Sequence, residues 1–192
     1  MDLHTLVRLS RSYRRFDETY WIDGKILREL IALAQYAPTG NNIQPLKFWL
    51  SNTPEMNAKI FPYLGWAASL KDWHGPMEGE RPSAYIIILG DTEIQSVFGV
   101  DHGIAAQTIL LGAAERGLGG CIIGSARRKG LQGELKIPDR YQALLVLALG
   151  KPAEKVVTEP FIPGGDIHYY RDSDEVHHVP KRDLNELILH DV

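Results

Sequence analysis

Residues 101–124 read DHGIAAQTILLGAAERGLGGCIIG. They predict a helix with almost no polar face, followed at once by a short strand. Asp101 is placed to cap the helix. Ile104, Ala105, Ala106, Ile109, Leu110, Leu111, Ala113 and Ala114 then put apolar groups on nearly every side. Gly103 and Gly112 keep the helix slim, and Gly117 stops it. Such a helix belongs inside a core or between subunits, because no face of it is suited to water. The glycine run at 117–120 is no dinucleotide loop. That motif needs a strand before it and a helix after it, and here the order is reversed. Gly124 closes the strand predicted over 119–124. A residue without a side chain there lets a flat ligand lie against backbone N–H groups.

Outward from this stretch, helices and strands are interspersed at uneven intervals. Residues 84–89 and 143–149 are short apolar runs that predict buried strands, with a helix over 127–135 between them. Residues 46–50 predict a further strand. Upstream, Asp2 and Asp23 are helix caps, the first for a helix to about Leu9 and the second for one that Pro38 ends. Pro54 starts another helix, carrying Met56 and Ile60. Residues 62–82, with Trp66, Trp73, His74 and a Gly-Pro pair, read as a loop or lid. After Gly150 the periodicity is lost. Residues 151–180 hold four prolines and many charges and predict an extended arm, closed by a short helix over 184–189. The expectation is an α+β layer fold with a small sheet, in a single domain over 1–192 whose C-terminal arm is 151–192.

The composition narrows the partners. The chain has 192 residues, 44% of them hydrophobic and 23% charged, and its net charge is −3. That balance supplies no broad basic field for nucleic acid. No apolar run is long enough to span a bilayer. One cysteine, Cys121, allows no internal disulfide and fits a reducing compartment. No secretion signal is evident at Met1–His4, so the expected location is the cytoplasm. His168, His177 and His178 lack metal-ligand spacing, and no metal is expected.

Against this mildly acidic background two basic clusters stand out. Arg11-Ser12-Tyr13-Arg14-Arg15 lies near one end of the chain and Lys181-Arg182 near the other. A phosphate monoester carries nearly two negative charges and suits guanidinium forks. If the ends of the chain converge, they form an anion pocket. Between them Ala37-Pro38-Thr39-Gly40-Asn41-Asn42-Ile43-Gln44-Pro45 forms a polar turn. The amides of Asn42 and Gln44 donate and accept together, as the edge of a heterocycle requires. As alternatives, the first cluster is a solvated helix end and the turn a plain connector.

These stretches, with LVLALGKP at 145–152 and YYRD at 169–172, occur in the order found in the FMN-dependent nitroreductase family, which the chain resembles as a small member. The resemblance implies a three-layer fold, with a small, mainly antiparallel mixed sheet flanked by helices. It also implies a homodimer with one FMN in each of two interface sites, and an arm that reaches onto the partner subunit. Arg11, Ser12, Lys181 and Arg182 would hold the phosphate. Arg14 would stand near the ribityl chain and the pyrimidine end, where a cation favours the reduced flavin. Pro38, Thr39, Gly40 and Asn42, with Gln44 nearby, would come from the other subunit. Ile123 and Gly124 would lie beside flavin N5. Relatives often carry an aromatic residue where Leu46 stands, and larger ones have a longer insertion than residues 62–82. No protein side chain is expected to act as a nucleophile, because the cofactor carries the chemistry. The implied activity is transfer of electron pairs from NAD(P)H to nitroaromatics, quinones or similar acceptors. Two alternatives stay open: a flavin-binding dimer that stores, senses or binds a partner, and a flavin enzyme of the same fold with other chemistry.

Overall fold

The aliphatic runs become the middle of an antiparallel sheet. The computed structural model describes residues 1–191. Its main sheet contains β1 (Phe16–Asp17), β2 (Leu46–Ser51), β3 (Ala84–Asp91), β4 (Gly119–Ile123) and β5 (Tyr141–Pro152). β5 is the spine. One edge pairs with β3, from Ala84 opposite Leu149 to Asp91 opposite Tyr141. The other edge pairs with β4, Gly119 opposite Gly150, and then with β1, Phe16 opposite Pro152. β2 closes the far side against β3. All these pairings are antiparallel. The predicted strands are therefore present, and β5 is longer than the apolar run that announced it. β1 was missed, because two residues are too short to show a period of two.

Alternation along β3 sends side chains to two helical layers. Ile86 and Ile88 pack with Leu27 and Leu30 of α2 (Gly24–Ala34) and with Ala105, Ala106 and Ile109 of α4 (Asp101–Glu115). Tyr85, Ile87 and Leu89 face the other way. They meet Ile60 of α3 (Pro54–Ile60) and Leu131 of α5 (Arg128–Glu134). Every residue of β3 is buried. α1 (Leu3–Leu9) packs against α4. Asp2, Asp23 and Thr53 cap α1, α2 and α3 through their side chains.

Asp101 is not a cap. It is the first residue of α4, preceded by Val100 with no side-chain cap, and its carboxylate accepts a hydrogen bond from the Gly40 N–H at 3.1 Å. The two helix glycines also differ. A Cβ on Gly112 would stand 2.4 Å from Leu33 Cδ1, so this position does let α2 approach, whereas Gly103 faces open space.

The arm is not structureless. Val156–Pro160 (β6), Tyr170–Arg171 (β7) and His177–Lys181 (β8) form a second sheet in the order β6-β8-β7. β6 and β8 are parallel, β7 and β8 antiparallel. Only the short helix α6 (Leu184–Leu187) follows. The prolines hid these strands. Pro160 and Pro180 sit on ladder positions that remove donors, which lowers any strand reading.

Gly120 is a close approach between α4 and the sheet. A Cβ there would lie 2.7 Å from both the Ala148 carbonyl oxygen and Leu110 Cδ2. The carbonyl belongs to the spine and cannot yield. Gly120→Ala is therefore expected to cost about 1–3 kcal/mol, read as a lower midpoint in chemical denaturation. An unchanged midpoint would show that the helix is free to retreat from the sheet.

Candidate functional site

The basic segment near the N-terminus is pinned at both ends. After α1, Ser12 bridges to Gly120, and the Tyr13 N–H donates to the Gly120 carbonyl at 3.0 Å. Three residues on, Phe16 is fully buried, its ring close against Gly150. This segment, from Arg11 before the first anchor to Arg14 between the two, runs past the edge of β4.

These side chains are not equivalent. Arg11 donates from Nη2 to the Val7 carbonyl at 2.8 Å, while its Nε is buried with no partner. Arg14 donates from Nη1 to the Ser12 carbonyl at 3.3 Å and stands 3.3 Å from His177 Nε2. Its guanidinium lies 4.7 Å from the centre of the Tyr169 ring. Arg15 is already spent, on Glu175 at 2.6 Å and Glu80 at 3.3 Å.

Glu154 organises this corner. Its Oε1 accepts the backbone N–H groups of Arg14 and, at 3.1 Å, of Arg15. Its Oε2 takes Arg171 Nη2 at 2.8 Å, in a pair whose side chains are only 2% and 8% exposed. A carboxylate so removed from water needs all of these donors. Arg171 also stacks on Trp73 at 4.4 Å, and the Ser69 N–H donates to the Tyr169 hydroxyl at 3.3 Å. Residues 62–82 are thereby tied to the arm. Trp66 and Trp73 meet edge to face at 6.4 Å, and His74 is exposed.

His177 is 1% exposed. Burial first, then the nearby Arg14 charge, lowers its pKa to about 4. Cys121 lies beneath the loop, and burial pushes its thiol up. It is a small buried hydrophobe, not a nucleophile.

The polar turn lies elsewhere. Gly40–Asn42 forms one 3₁₀ turn. Asn41, Asn42 and Gln44 adopt positive φ of 51°, 56° and 54°, a region that side chains other than glycine enter only at a cost. Gln44 Nε2 donates to Asn42 Oδ1 at 3.0 Å, and the Gln44 N–H to Thr39 Oγ1 at 3.3 Å. Pro38, Asn42 and Gln44 are exposed. Thr39 and Gln44 border a cleft of about 550 Å³ between α2 and β2, with Ile31, Leu46 and Phe48 on its walls.

The structure brings some predicted residues together and separates others. Arg11, Ser12 and Arg14 share the β4 edge, at whose far end Ile123 is buried and Gly124 exposed. The arm does return to this loop, but through Glu154, Tyr169, Arg171 and His177. Lys181 and Arg182 lie at the other end of β8, about 13 Å beyond His177 at strand rise. There Arg182 pairs with Glu186 at 2.9 Å and stacks on Phe161 at 5.0 Å. No contact joins them to Arg11 or Ser12. The turn is remote as well. It rests on Asp101, whereas Gly120 packs on Leu110, nine residues or about 13 Å further along α4. Glu154, Tyr169 and His177 were not expected as parts of the site. Their signal was faint: a charged residue just after a strand, and aromatic residues among prolines.

Comparison with known proteins gives the class. The model of the nitroreductase family matches residues 8–151, and the chain belongs to that family. A Methanothermobacter thermautotrophicus protein named provisionally as an NADH dehydrogenase/NAD(P)H nitroreductase is 27% identical over 175 residues, covering 88% of this chain and 86% of the relative. The Vibrio harveyi NADPH-flavin oxidoreductase is 36% identical over 74 residues, 38% of this chain and 31% of that protein. Among solved structures, a nitroreductase family protein from Streptococcus pneumoniae superposes with a TM-score of 0.70 at 18% identity, over 84% of this chain and 96% of its own. An FMN-dependent nitroreductase from Clostridium difficile gives 0.65 at 22% identity, over 80% and 89%. The fold is that of a nitroreductase. Among the described residues no helix is long and apolar enough to cross a membrane.

A second titratable group locks the arm to itself. His178 lies between Asp172 Oδ2 at 2.9 Å and Glu159 Oε2 at 2.8 Å, and stacks flat on Tyr170. These hydrogen bonds, Asp172 first, raise its pKa. Its contribution is therefore complete below about pH 6.5 and is lost as pH rises through the raised value. Limited proteolysis of residues 161–176 is expected to speed up between about pH 6 and pH 9. The same series on His178→Asn should be flat, and a wild-type series that is flat as well would remove this lock.

Proposed function

We propose that the chain is an FMN-dependent oxidoreductase that acts as a homodimer in the cytoplasm, with each flavin site built by two copies. Membership of the nitroreductase family supports the class, and the names of its relatives support a flavin and a nicotinamide reductant. The observation that carries the reading is the length of α4. Its contact with the polar turn, at Asp101, and its contact with Gly120 beside the Arg11–Ser12 corner, at Leu110, lie about 13 Å apart along its axis, and both regions present hydrogen-bonding groups to the surface.

A second copy would complete the site. Along the outer side of α4, Val100, Gly103, Ile104, Gln107, Thr108 and Leu111 line a shallow and almost wholly apolar depression. Packing two such helices across a two-fold axis would bury this stripe. It would also bring the turn of one copy, with Pro38, Thr39, Gly40, Asn42 and Gln44, toward the basic corner of the other. Beyond β8 the side chains of Leu184, Leu187 and Leu189 are exposed. The Ile31, Leu46, Phe48 and Leu50 side of the cleft between α2 and β2 would offer them a seat on the partner.

The residues fit FMN at its phosphate end. Arg11 Nε is buried and unpartnered, and Ser12 is exposed beside it. Arg11 and Ser12 would hold the phosphate. Lys181 and Arg182 would join only if the strand end moved or the partner supplied them. Arg14 would meet the pyrimidine end, and the backbone after Ile123 and Gly124 would face the ring. FMN, when bound, would carry an electron pair from NAD(P)H to a nitroaromatic, quinone or similar small acceptor. The chain's own part is to bind, orient and set the charge around it. No nucleophile is needed.

Purified protein mixed with FMN is expected to turn yellow and to quench flavin fluorescence. Anaerobic NADH or NADPH should bleach it. Protein that stays colourless ends the proposal, and bound flavin that neither nucleotide bleaches would make it a flavin-binding dimer without turnover. Arg11→Ala removes a charge-assisted contact worth about 1.5–3 kcal/mol. FMN affinity should fall about 10- to 100-fold in fluorescence titration, and an unchanged affinity would take Arg11 out of the site. Ile104→Glu should convert the dimer to monomer in sedimentation and weaken FMN binding together. A variant that stays dimeric with full affinity would place the interface elsewhere.

A further inference from the structure

His177 is buried in the arm, 163 positions from Arg14 in sequence, and it contacts Arg14. The guanidinium has only donors. At Nη1 it meets the Ser12 carbonyl and His177 Nε2, each at 3.3 Å, and one face is covered by the Tyr169 ring. The Cys121 thiol is also within reach of the Arg14 side chain, which stays partly exposed. The guanidinium is thus gripped by its own chain while part of it remains open to solvent.

For His177 to accept from Arg14, its Nε2 must be unprotonated, so the ring proton belongs on Nδ1. That atom is buried and has no partner. A polar group left unsatisfied in a well-packed core calls for an explanation. Here the ring gives up a bond at Nδ1 and keeps an acceptor toward Arg14. A second cation in contact with Arg14 would repel it. Charged and titratable groups surround the ring: Arg14 from the N-terminal loop, Glu154 at the start of the arm, Arg171 on β7 and His178 next to it on β8. The backbone leaves no slack. The His177 N–H donates to the Lys155 carbonyl at 2.9 Å, and Glu154 holds the Arg14 N–H. Burial keeps the imidazole neutral, as its low pKa indicates.

We infer that His177, with Tyr169, is a positioning residue that aims the Arg14 guanidinium at the pyrimidine end of the bound flavin and so sets how strongly the reduced cofactor is held. The inference rests on the FMN reading above. His177 acts through Arg14 and touches no reacting atom, so its effect belongs to the ratio of reduced to oxidised affinity, not to phosphate binding.

The test is the midpoint potential of bound FMN, measured by anaerobic dye equilibration, together with the dissociation constant for oxidised FMN. His177→Phe keeps the ring contact with Tyr169 and loses the acceptor. The affinity ratio is expected to fall about tenfold, equivalent to about 30 mV for an electron pair, with oxidised FMN bound nearly as before. His177→Gln, which restores an acceptor near Nε2, should recover most of the shift. In an Arg14→Ala background His177→Phe should change nothing further. Tyr169→Leu offers the same comparison should His177→Phe fail to fold, with a shift of the same sign that also vanishes in that background. No shift in folded, flavin-loaded variants, or an equal shift with and without Arg14, overturns the inference and leaves the oxidoreductase reading intact. Wild-type protein that binds no FMN overturns both.

Discussion

Glu154 is where the two ends of the chain are tied together. Its carboxylate is almost wholly removed from water, and it survives there only because two backbone N–H groups and one guanidinium converge on it. Those donors come from opposite ends of the sequence, Arg14 and Arg15 on one side and Arg171 on the other. The carboxylate joins the loop carrying the basic cluster to the arm carrying Tyr169 and His177, alongside the Arg15–Glu175 pair and the contacts of Arg14 with Tyr169 and His177. The position of Glu154 is dictated in turn by β5. That strand is hydrogen-bonded along both edges and pairs Pro152 with Phe16, so it delivers the next residues directly under the loop.

The same corner shows how charge is apportioned. Of the three neighbouring arginines, Arg15 is neutralised by Glu80 and Glu175. Arg14 is held by neutral groups, a carbonyl, an imidazole and a phenol ring. Arg11 keeps an unpaired Nε. Fixed charge without a fixed counter-charge is the condition for binding an anion from solution. A cluster that looks uniform in sequence is divided by its surroundings into a structural residue and two that remain available. α4 adds the other constraint. It meets the polar turn at Asp101 and packs on Gly120 through Leu110, nine residues further along its axis, so the turn and the basic corner are seated at separate points of one helix.

Local patterns made much of the fold legible. The apolar run of β3 and the helical spacing of α2 leave few other ways to bury their side chains, and Asp2 and Asp23 mark helix starts as caps should. Where the reading failed, a longer-range contact had taken the residue. Asp101 has the right type and place for a cap, yet its carboxylate serves the Gly40 N–H 61 positions away. The arm looked extended because Pro160 and Pro180 break the strand signal, although parallel pairing between β6 and β8 tolerates them at those ladder positions.

For the site, residue type pointed to anion binding at Arg11 and Ser12 and to a polar turn at residues 37–45, since guanidinium forks and amides that both donate and accept are properties of the residues themselves; the positive φ of Asn42 and Gln44 came only with the fold. The partners of those residues are another matter. That Arg14 faces His177 and Tyr169, that Arg15 is cancelled, and that Lys181 and Arg182 end at the far tip of β8 were settled only when sheet pairing fixed distances between segments more than 140 residues apart. Sequence determined which groups could carry charge or donate hydrogen bonds. Tertiary structure decided which of them keep that capacity, because a donor buried against an acceptor of its own chain has nothing left to offer a ligand.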